Sequence, residues 1–240
     1  MTKVKNYLLG YKDMFIMQDT DYFNFSLDSV LLANFVTLNK NITKIMDIGC
    51  GNAPIPLILS TKTNAKILGV EIQKDLYDLA LESVKMNNKE HQINIVNDDI
   101  NNLYLNIESD TYDVITCNPP YFKFNENSNI NYDEHKTIAR HEVALDLEKL
   151  FKISKKILKN KGIISIVHRP ERLIEIIEVM KKNNIEPKRI RLIYPKREKE
   201  ANILLIEGVK NGKPGLKIMA PLYSHDEYNE YTAEIKKNFE

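Results

Sequence analysis

The segment Asp47-Ile48-Gly49-Cys50-Gly51-Asn52-Ala53-Pro54 follows a short apolar strand candidate, Ile45-Met46, and precedes an apolar helical stretch at 55–60. The glycines between the two runs permit a tight turn and let a ligand approach the backbone closely. The spacing begins like the dinucleotide-binding pattern Gly-x-Gly-x-x-Gly, but Pro54 stands at the third glycine position, and the Lys-Ser/Thr pair of a P-loop is missing. The segment therefore predicts the first strand–turn–helix unit of an open α/β sheet.

Strand candidates and helically spaced segments alternate along most of the chain. After the first unit, strands are predicted at 66–71, 93–96, 113–117 and 163–167, and helices at 76–84, 147–157 and 173–180. This alternation implies right-handed crossovers and a mostly parallel sheet. The runs 190–194 and 201–207 are separated by only a short connector, so they should pair antiparallel. We expect an α/β fold of the Rossmann-like kind, with a seven-stranded, mostly parallel sheet, an antiparallel C-terminal strand and helices on both faces.

Length and composition narrow the class of protein. With 240 residues, 43% of them hydrophobic, we expect a single domain over 1–240, in which 1–40 form an N-terminal extension with a helix and 41–240 form the core. The formal net charge is only +1, so any nucleic-acid surface must come from local basic clusters. The two cysteines form no Cys/His cluster, and we expect no metal site. No signal peptide or membrane-spanning run is recognisable, so a cytoplasmic protein without membrane contact is expected.

The motif Asn118-Pro119-Pro120-Tyr121 comes directly after the fourth strand of this core. Its two prolines end the strand and fix a rigid corner at the carboxyl edge of the sheet. The side-chain oxygen of Asn118 and the backbone carbonyl of Pro119 can both accept hydrogen bonds from a planar NH₂ group, and Tyr121 can stack on the plane of that group. The motif therefore predicts a catalytic site for an amino group on a planar acceptor, and it does not decide which acceptor.

An acidic residue followed by Gly-x-Gly resembles motif I of the S-adenosylmethionine-dependent methyltransferases, and the four-residue motif resembles their amino-methylating members. The resemblance implies a class I methyltransferase fold with S-adenosylmethionine as the cofactor. It also implies that Glu71 accepts hydrogen bonds from the ribose hydroxyls, and that Asp98 or Asp99 accepts one from the adenine amino group, with Ile100 packed on the ring. The implied cofactor site comprises Ser26, Asp28, Asp47, Gly49, Gly51, Glu71, Ile72, Asp98, Asp99, Ile100 and Asn118.

Three flanking stretches, 25–33, 140–142 and 195–198, resemble the bacterial tRNA1(Val) (adenine-37-N6)-methyltransferases. The resemblance implies methylation of adenine 37 in a valine tRNA, without an obligate protein partner. Three alternatives remain open. The first is a release-factor glutamine methyltransferase, although such enzymes usually carry a sizeable N-terminal helical domain. The second is an rRNA or DNA adenine methyltransferase, which shares the motif, although a DNA enzyme is expected to carry a recognition domain. The third is a non-catalytic binding module, which the intact motif disfavours.

A local basic cluster is the candidate RNA contact. Lys196, Arg197 and Lys199 lie on the connector between the two C-terminal strands, and Arg140 follows the catalytic motif. Folded RNA needs phosphate contacts of this kind to position a single-stranded loop. We therefore expect these four residues to contact tRNA.

Overall fold

The computed structural model describes residues 3–8, 11–19, 27–119 and 146–237. Its strands are β1 (Lys3–Leu8), β2 (Tyr11–Asp19), β3 (Lys44–Ile48), β4 (Lys66–Glu71), β5 (Ile93–Asn97), β6 (Tyr112–Cys117), β7 (Leu158–His168), β8 (Ile185–Tyr194), β9 (Ile203–Lys210), β10 (Lys217–Ile218) and β11 (Leu222–Tyr223). Its α-helices are α1 (Leu27–Phe35), α2 (Pro54–Ser60), α3 (Lys74–Met86), α4 (Ile100–Leu103), α5 (Leu147–Ile157), α6 (Leu173–Lys182) and α7 (Ala233–Lys237). No helix in these ranges is long and apolar enough to cross a membrane.

The central sheet has the order β10-β8-β9-β7-β6-β3-β4-β5. Strands β3 to β7 pair in parallel, and β9 is inserted antiparallel between β7 and β8. The predicted fold class, including the antiparallel C-terminal strand, is confirmed. The sheet has nine strands where seven were expected, because two-residue strands β10 and β11 both pair with β8. Strands this short have no alternation of apolar and polar residues by which a sequence could reveal them.

Two apolar layers cover the sheet, one on each face. Helices α1, α2 and α3 pack with one layer, and α4, α5 and α6 pack with the other. Helix α5 shows why these segments become helices: its apolar residues recur at helical spacing, and the Asp146 carboxylate caps its first turn by accepting a hydrogen bond from Lys149 N at 2.7 Å. That the whole chain forms a single domain stays a prediction.

An N-terminal hairpin of β1 and β2 was not predicted by the sequence. Its strand β2 lies against α3, where Ser83 Oγ accepts from Met17 N and Asn87 Oδ1 accepts from Phe15 N, both at 2.9 Å. Asn52, in the glycine loop after β3, donates to the carbonyl oxygen of Met17 at 2.7 Å. The outer edge of β2 is therefore paired with side chains, and the hairpin is tied to the loop that begins α2.

Candidate active site

The parallel strands β3, β4, β5 and β6 end at one edge of the sheet, and the predicted polar residues lie at or just after those ends. Asp47 lies at the end of β3, Glu71 ends β4, Asp98 follows β5 and Asn118 follows β6. Open α/β sheets bind their ligands outside the carboxyl ends of such strands. The fold therefore brings the four predicted elements to the same edge.

The loop between β3 and α2 adopts left-handed backbone conformations. Gly49 has φ +69° and Gly51 has φ +56°, and a Cβ atom added to either would meet nothing within 4 Å. Ala53 is also left-handed, with φ 71°, and Pro54 follows it as the first residue of α2. Proline is favourable there because its φ suits a helix start and its missing N–H would have no partner in the first turn. Pro54, which stands in place of a third glycine, thus marks where the helix begins. The loop leaves open space beside Gly49 and Gly51.

Asp47 is fully buried below this loop. Its Oδ1 accepts a hydrogen bond from Thr116 Oγ1 on β6 at 2.5 Å, whereas its Oδ2 has no partner among the described residues. Burial raises the pKa of Asp47 from 3.8 to about 8; the hydrogen bond from Thr116 opposes this shift, and the nearby charge of Glu71 adds to it. The site therefore contains a buried carboxyl oxygen that no described protein group satisfies.

Glu71 connects the glycine loop to the end of β4. Its Oε2 accepts from Gly51 N at 2.9 Å and its Oε1 accepts from Gln73 N at 2.8 Å. The side chain is buried, and this burial raises its pKa, while the two backbone donors lower it. The Ile72 backbone and the Gln73 side chain also donate to this carboxylate. Beside it Ile72 is exposed, with 42% of its surface accessible, which suits a residue that packs on a ligand.

The two aspartates after β5 have different partners. Asp99 Oδ1 accepts from both the backbone N and the side-chain amide of Asn101, so Asp99 caps the start of α4. Asp98 Oδ1 accepts from the backbone N of Asp99 at 2.7 Å. Ile100 is buried in the core on the α4 face, with only 5% of its surface accessible. Of the two carboxylates, Asp98 is therefore the one that is not used as a helix cap.

Asn118 is half-buried directly after β6, and Pro119 is buried beside it. The Asn118 amide Nδ2 donates to Ser29 Oγ on α1 at 3.1 Å. This bond orients the amide so that its Oδ1 is the hydrogen-bond acceptor of the side chain. Ser29 is a site residue that the sequence analysis missed. Ser29 is buried in the first turn of α1, one residue after Asp28. Its contact with Asn118 becomes visible only when α1 is placed against β6.

The remaining predicted residues fall into two groups. Ser26, Pro120, Tyr121 and Arg140 lie outside the described residues. Lys196, Arg197 and Lys199 lie on the connector from β8 to β9. Because β8 runs in the same direction as β6 and β7, this connector lies at the same edge of the sheet as Asn118. The basic cluster and Asn118 therefore share one edge.

The geometry can be compared with known proteins. The family model described as the methyltransferase small domain matches residues 26–184, which contain the glycine loop, Glu71, Asp98 and the Asn118 motif. The chain belongs to this family. The matched region extends from just before α1 to just beyond α6, so it includes the ends of β3, β4, β5 and β6.

Similar proteins carry one name. The chain is 28% identical over 183 residues to the tRNA1(Val) (adenine(37)-N6)-methyltransferase of Aliivibrio salmonicida, covering 76% of this chain and 75% of that protein. It is 26% identical over 231 residues to the protein of the same name from Parabacteroides distasonis, covering 95% of each. A third, from Flavobacterium psychrophilum, is 27% identical over 161 residues and 67% of each chain. The resemblance inferred from the flanking stretches is confirmed.

Solved structures support the fold. A predicted O-methyltransferase from Agrobacterium tumefaciens superposes with a TM-score of 0.69 at 18% identity, covering 88% of this chain and 96% of that one. A geranyl diphosphate C-methyltransferase from Streptomyces coelicolor, in complex with S-adenosyl-L-homocysteine, superposes with a TM-score of 0.58 at 12% identity, covering 76% and 79%. At these identities the likeness shows a methyltransferase fold and nothing about the substrate.

Proposed function

We propose that this methyltransferase-family protein transfers a methyl group from S-adenosylmethionine to the N6 amino group of adenine in tRNA, at position 37 of a valine tRNA. The observation that carries the proposal is Asn118, held by Ser29 at the carboxyl end of β6 and next to the glycine loop. The choice of tRNA rests on the names of the relatives, which cover up to 95% of the chain.

The cofactor site favours S-adenosylmethionine over a dinucleotide on charge. Glu71 and Asp98 provide two carboxyl groups at one sheet edge, and a carboxylate attracts a positively charged ligand. S-adenosylmethionine carries a sulfonium and an ammonium against one carboxylate, whereas a dinucleotide would bring a negatively charged pyrophosphate. The Oδ2 of Asp47, which has no partner among the described residues, leaves a polar group for a bound ligand.

Individual contacts follow from the partners of each residue. Glu71, which ends β4 and is held beside the glycine loop by Gly51 N, binds the ribose hydroxyls. Asp98 accepts from the adenine amino group, since Asp99 is engaged in capping α4. Gly49 and Gly51 give the cofactor close access to the loop backbone.

The reaction needs orientation and hydrogen bonding more than a strong base. The lone pair of an adenine amino nitrogen is delocalised into the ring, which makes the nitrogen a weak nucleophile. When Asn118 Oδ1 and the Pro119 carbonyl accept its two hydrogens, the nitrogen becomes more tetrahedral and its developing positive charge is stabilised. Bound S-adenosylmethionine would supply the methyl group to this nitrogen, and the electrons of the sulfur–carbon bond would remain on sulfur as the nitrogen–carbon bond formed. The extra proton on nitrogen then leaves to water.

The test combines a variant with a panel of acceptors. Asn118→Ala should abolish methyl transfer to tRNA while cofactor affinity, measured by calorimetry, changes little. The matched control is Asn64→Ala, which removes an exposed asparagine just before β4. Labelled cofactor is supplied to both variants and the wild type with total tRNA, purified release factor and DNA in parallel. Near-wild-type turnover by Asn118→Ala contradicts the assigned role, and label found only in release factor or DNA contradicts the tRNA assignment.

A further inference from the structure

A cleft lies where the β8–β9 connector meets the C-terminal segment. Ser224 N donates to the carbonyl of Tyr194 at 2.8 Å, and His225 N donates to the carbonyl of Pro195 at 3.0 Å, so backbone hydrogen bonds join the two walls. The cleft is lined by Pro195, Lys196, Lys199, His225 and Asn229. The cleft lies just beyond the end of β8, at the sheet edge that also holds Asn118.

Two lysines of this cleft differ from other cations of the C-terminal strands. Arg189 pairs with Glu207 at 3.0 Å, and Lys210 pairs with Asp110 at 2.8 Å. Within the part of the chain that the structure describes, Lys196 and Lys199 form no ion pair. Their ammonium groups are therefore available to an anionic ligand.

Two acidic side chains of the C-terminal wall are already engaged, whereas Glu198 and Glu200, which flank Lys199, are exposed. The Asp226 carboxylate accepts from Tyr228 N at 2.9 Å and from Glu230 N at 3.0 Å, which closes a turn. Glu230 forms an ion pair with Lys236 at 3.5 Å. The connector is therefore no broad basic face, because cations and carboxylates alternate along it. Of its charged residues, Lys196 and Lys199 are the two that line the cleft.

The rest of the lining suits a flat, unstacked base. The ring of His225 packs on Tyr231 with 4.8 Å between centroids, which supports it from behind. Pro195 continues the same wall, and Tyr228 nearby is 79% exposed. Single-stranded nucleic acid is bound in this way, by aromatic faces for bases together with cations for the backbone.

The position of the cleft fixes which part of an RNA could reach it. Strands β6, β7, β9 and β8 are consecutive neighbours. At about 4.8 Å per strand spacing, the end of β8 is about 14 Å from the end of β6, along the edge. We propose that the cleft binds the single-stranded RNA that flanks the methylated adenine, with Lys196 and Lys199 on its phosphates and a neighbouring base on His225. This inference rests on the proposed tRNA function.

The experiment measures tRNA affinity between about 50 and 200 mM salt. The double variant Lys196→Ala with Lys199→Ala should bind more weakly, and its log–log salt slope should be shallower by about 1.4, at about 0.7 per single-strand phosphate. His225→Ala should weaken binding about 5-fold or more with the slope unchanged. The control is Lys213→Ala with Lys217→Ala, two exposed lysines that do not line the cleft, for which wild-type affinity is expected.

A second measurement uses the wild-type protein. With 4-thiouridine incorporated next to adenine 37, photo-crosslinks should map to peptides containing 195–199 or 225–229. A double variant indistinguishable from the control, or crosslinks that map only elsewhere, overturns the cleft while tRNA methylation stands. If the wild type neither binds nor methylates tRNA, both proposals fail.

Discussion

The buried carboxyl of Asp47 should make the stability of the cofactor-free protein fall as pH rises. In the folded protein its pKa is about 8 instead of 3.8, chiefly because burial disfavours the charged form. The folded state therefore holds the proton more tightly than the unfolded state does. Below pH 4 the carboxyl has no effect on folding; between the two pKa values stability is lost as pH rises, and above the folded pKa the loss is complete.

The size of the effect follows from the two pKa values. Each pH unit between them costs about 1.4 kcal/mol, so the loss between pH 5 and pH 8 is about 4 kcal/mol. That is a large part of the 5–15 kcal/mol, roughly, by which a domain of ordinary stability is folded. Asp47→Asn removes the titrating group and keeps an oxygen to accept from Thr116. Its stability should therefore exceed that of the wild type increasingly as pH rises.

The assay is urea unfolding of wild type and Asp47→Asn at pH 5, 6, 7 and 8, read as the difference between the two proteins. The difference is needed because His168 acts in the opposite direction: burial lowers its pKa from 6.5 to about 4, so stability is gained as pH rises through that window. This contribution is common to both proteins and cancels. Asp13→Asn, at an exposed position of β2, is the control. A difference that stays constant from pH 5 to pH 8 refutes the assigned protonation of Asp47.

Two further substitutions test a contact within the site and a buried ion pair of the sheet. Ser29→Ala removes the acceptor that orients the Asn118 amide, so kcat for methyl transfer should fall about 10-fold while the cofactor Kd stays unchanged, and an unchanged kcat would contradict this role. Glu207→Ala leaves the Arg189 guanidinium, which is 26% exposed, without its carboxylate, and unfolding in urea should show a loss of about 3–5 kcal/mol. Glu207→Gln keeps acceptor capacity and should lose less, so equal losses would show that the retained acceptor contributes nothing and that the negative charge carries the whole effect.

Much of the fold could be predicted because its elements have their own periodicity. The strands of the core are short apolar runs, and α5 and α6 have apolar residues at helical spacing. The N-terminal hairpin could not be predicted in this way. In β1 only Leu8 is buried, so the strand shows no alternation, and the partners of β2 on α3 lie 66 and 72 residues away in sequence. Its stability comes from tertiary contacts.

The candidate site, like the fold, could be predicted only in part. Its position followed from the sequence, because the carboxyl ends of successive parallel strands meet at one edge. The partners of its residues did not follow. Neither the capping role of Asp99 nor the contact between Ser29 and Asn118, which are 89 residues apart, leaves a sequence pattern. The sequence therefore located the candidate residues and left the task of each one open.

Selectivity for one adenine requires more than the catalytic edge. The oxygens of Asn118 and Pro119 would accept hydrogen bonds from any planar NH₂ group that reached them, so they define a reaction and not a substrate. Discrimination between substrates must come from contacts realised only when the correct RNA is bound. The β8–β9 connector begins at the end of β8, about 14 Å from the end of β6 along the same edge. It is therefore placed to make such contacts with neighbouring nucleotides. Changing that connector should therefore alter which RNA is methylated, whereas changing Asn118 should alter whether any is.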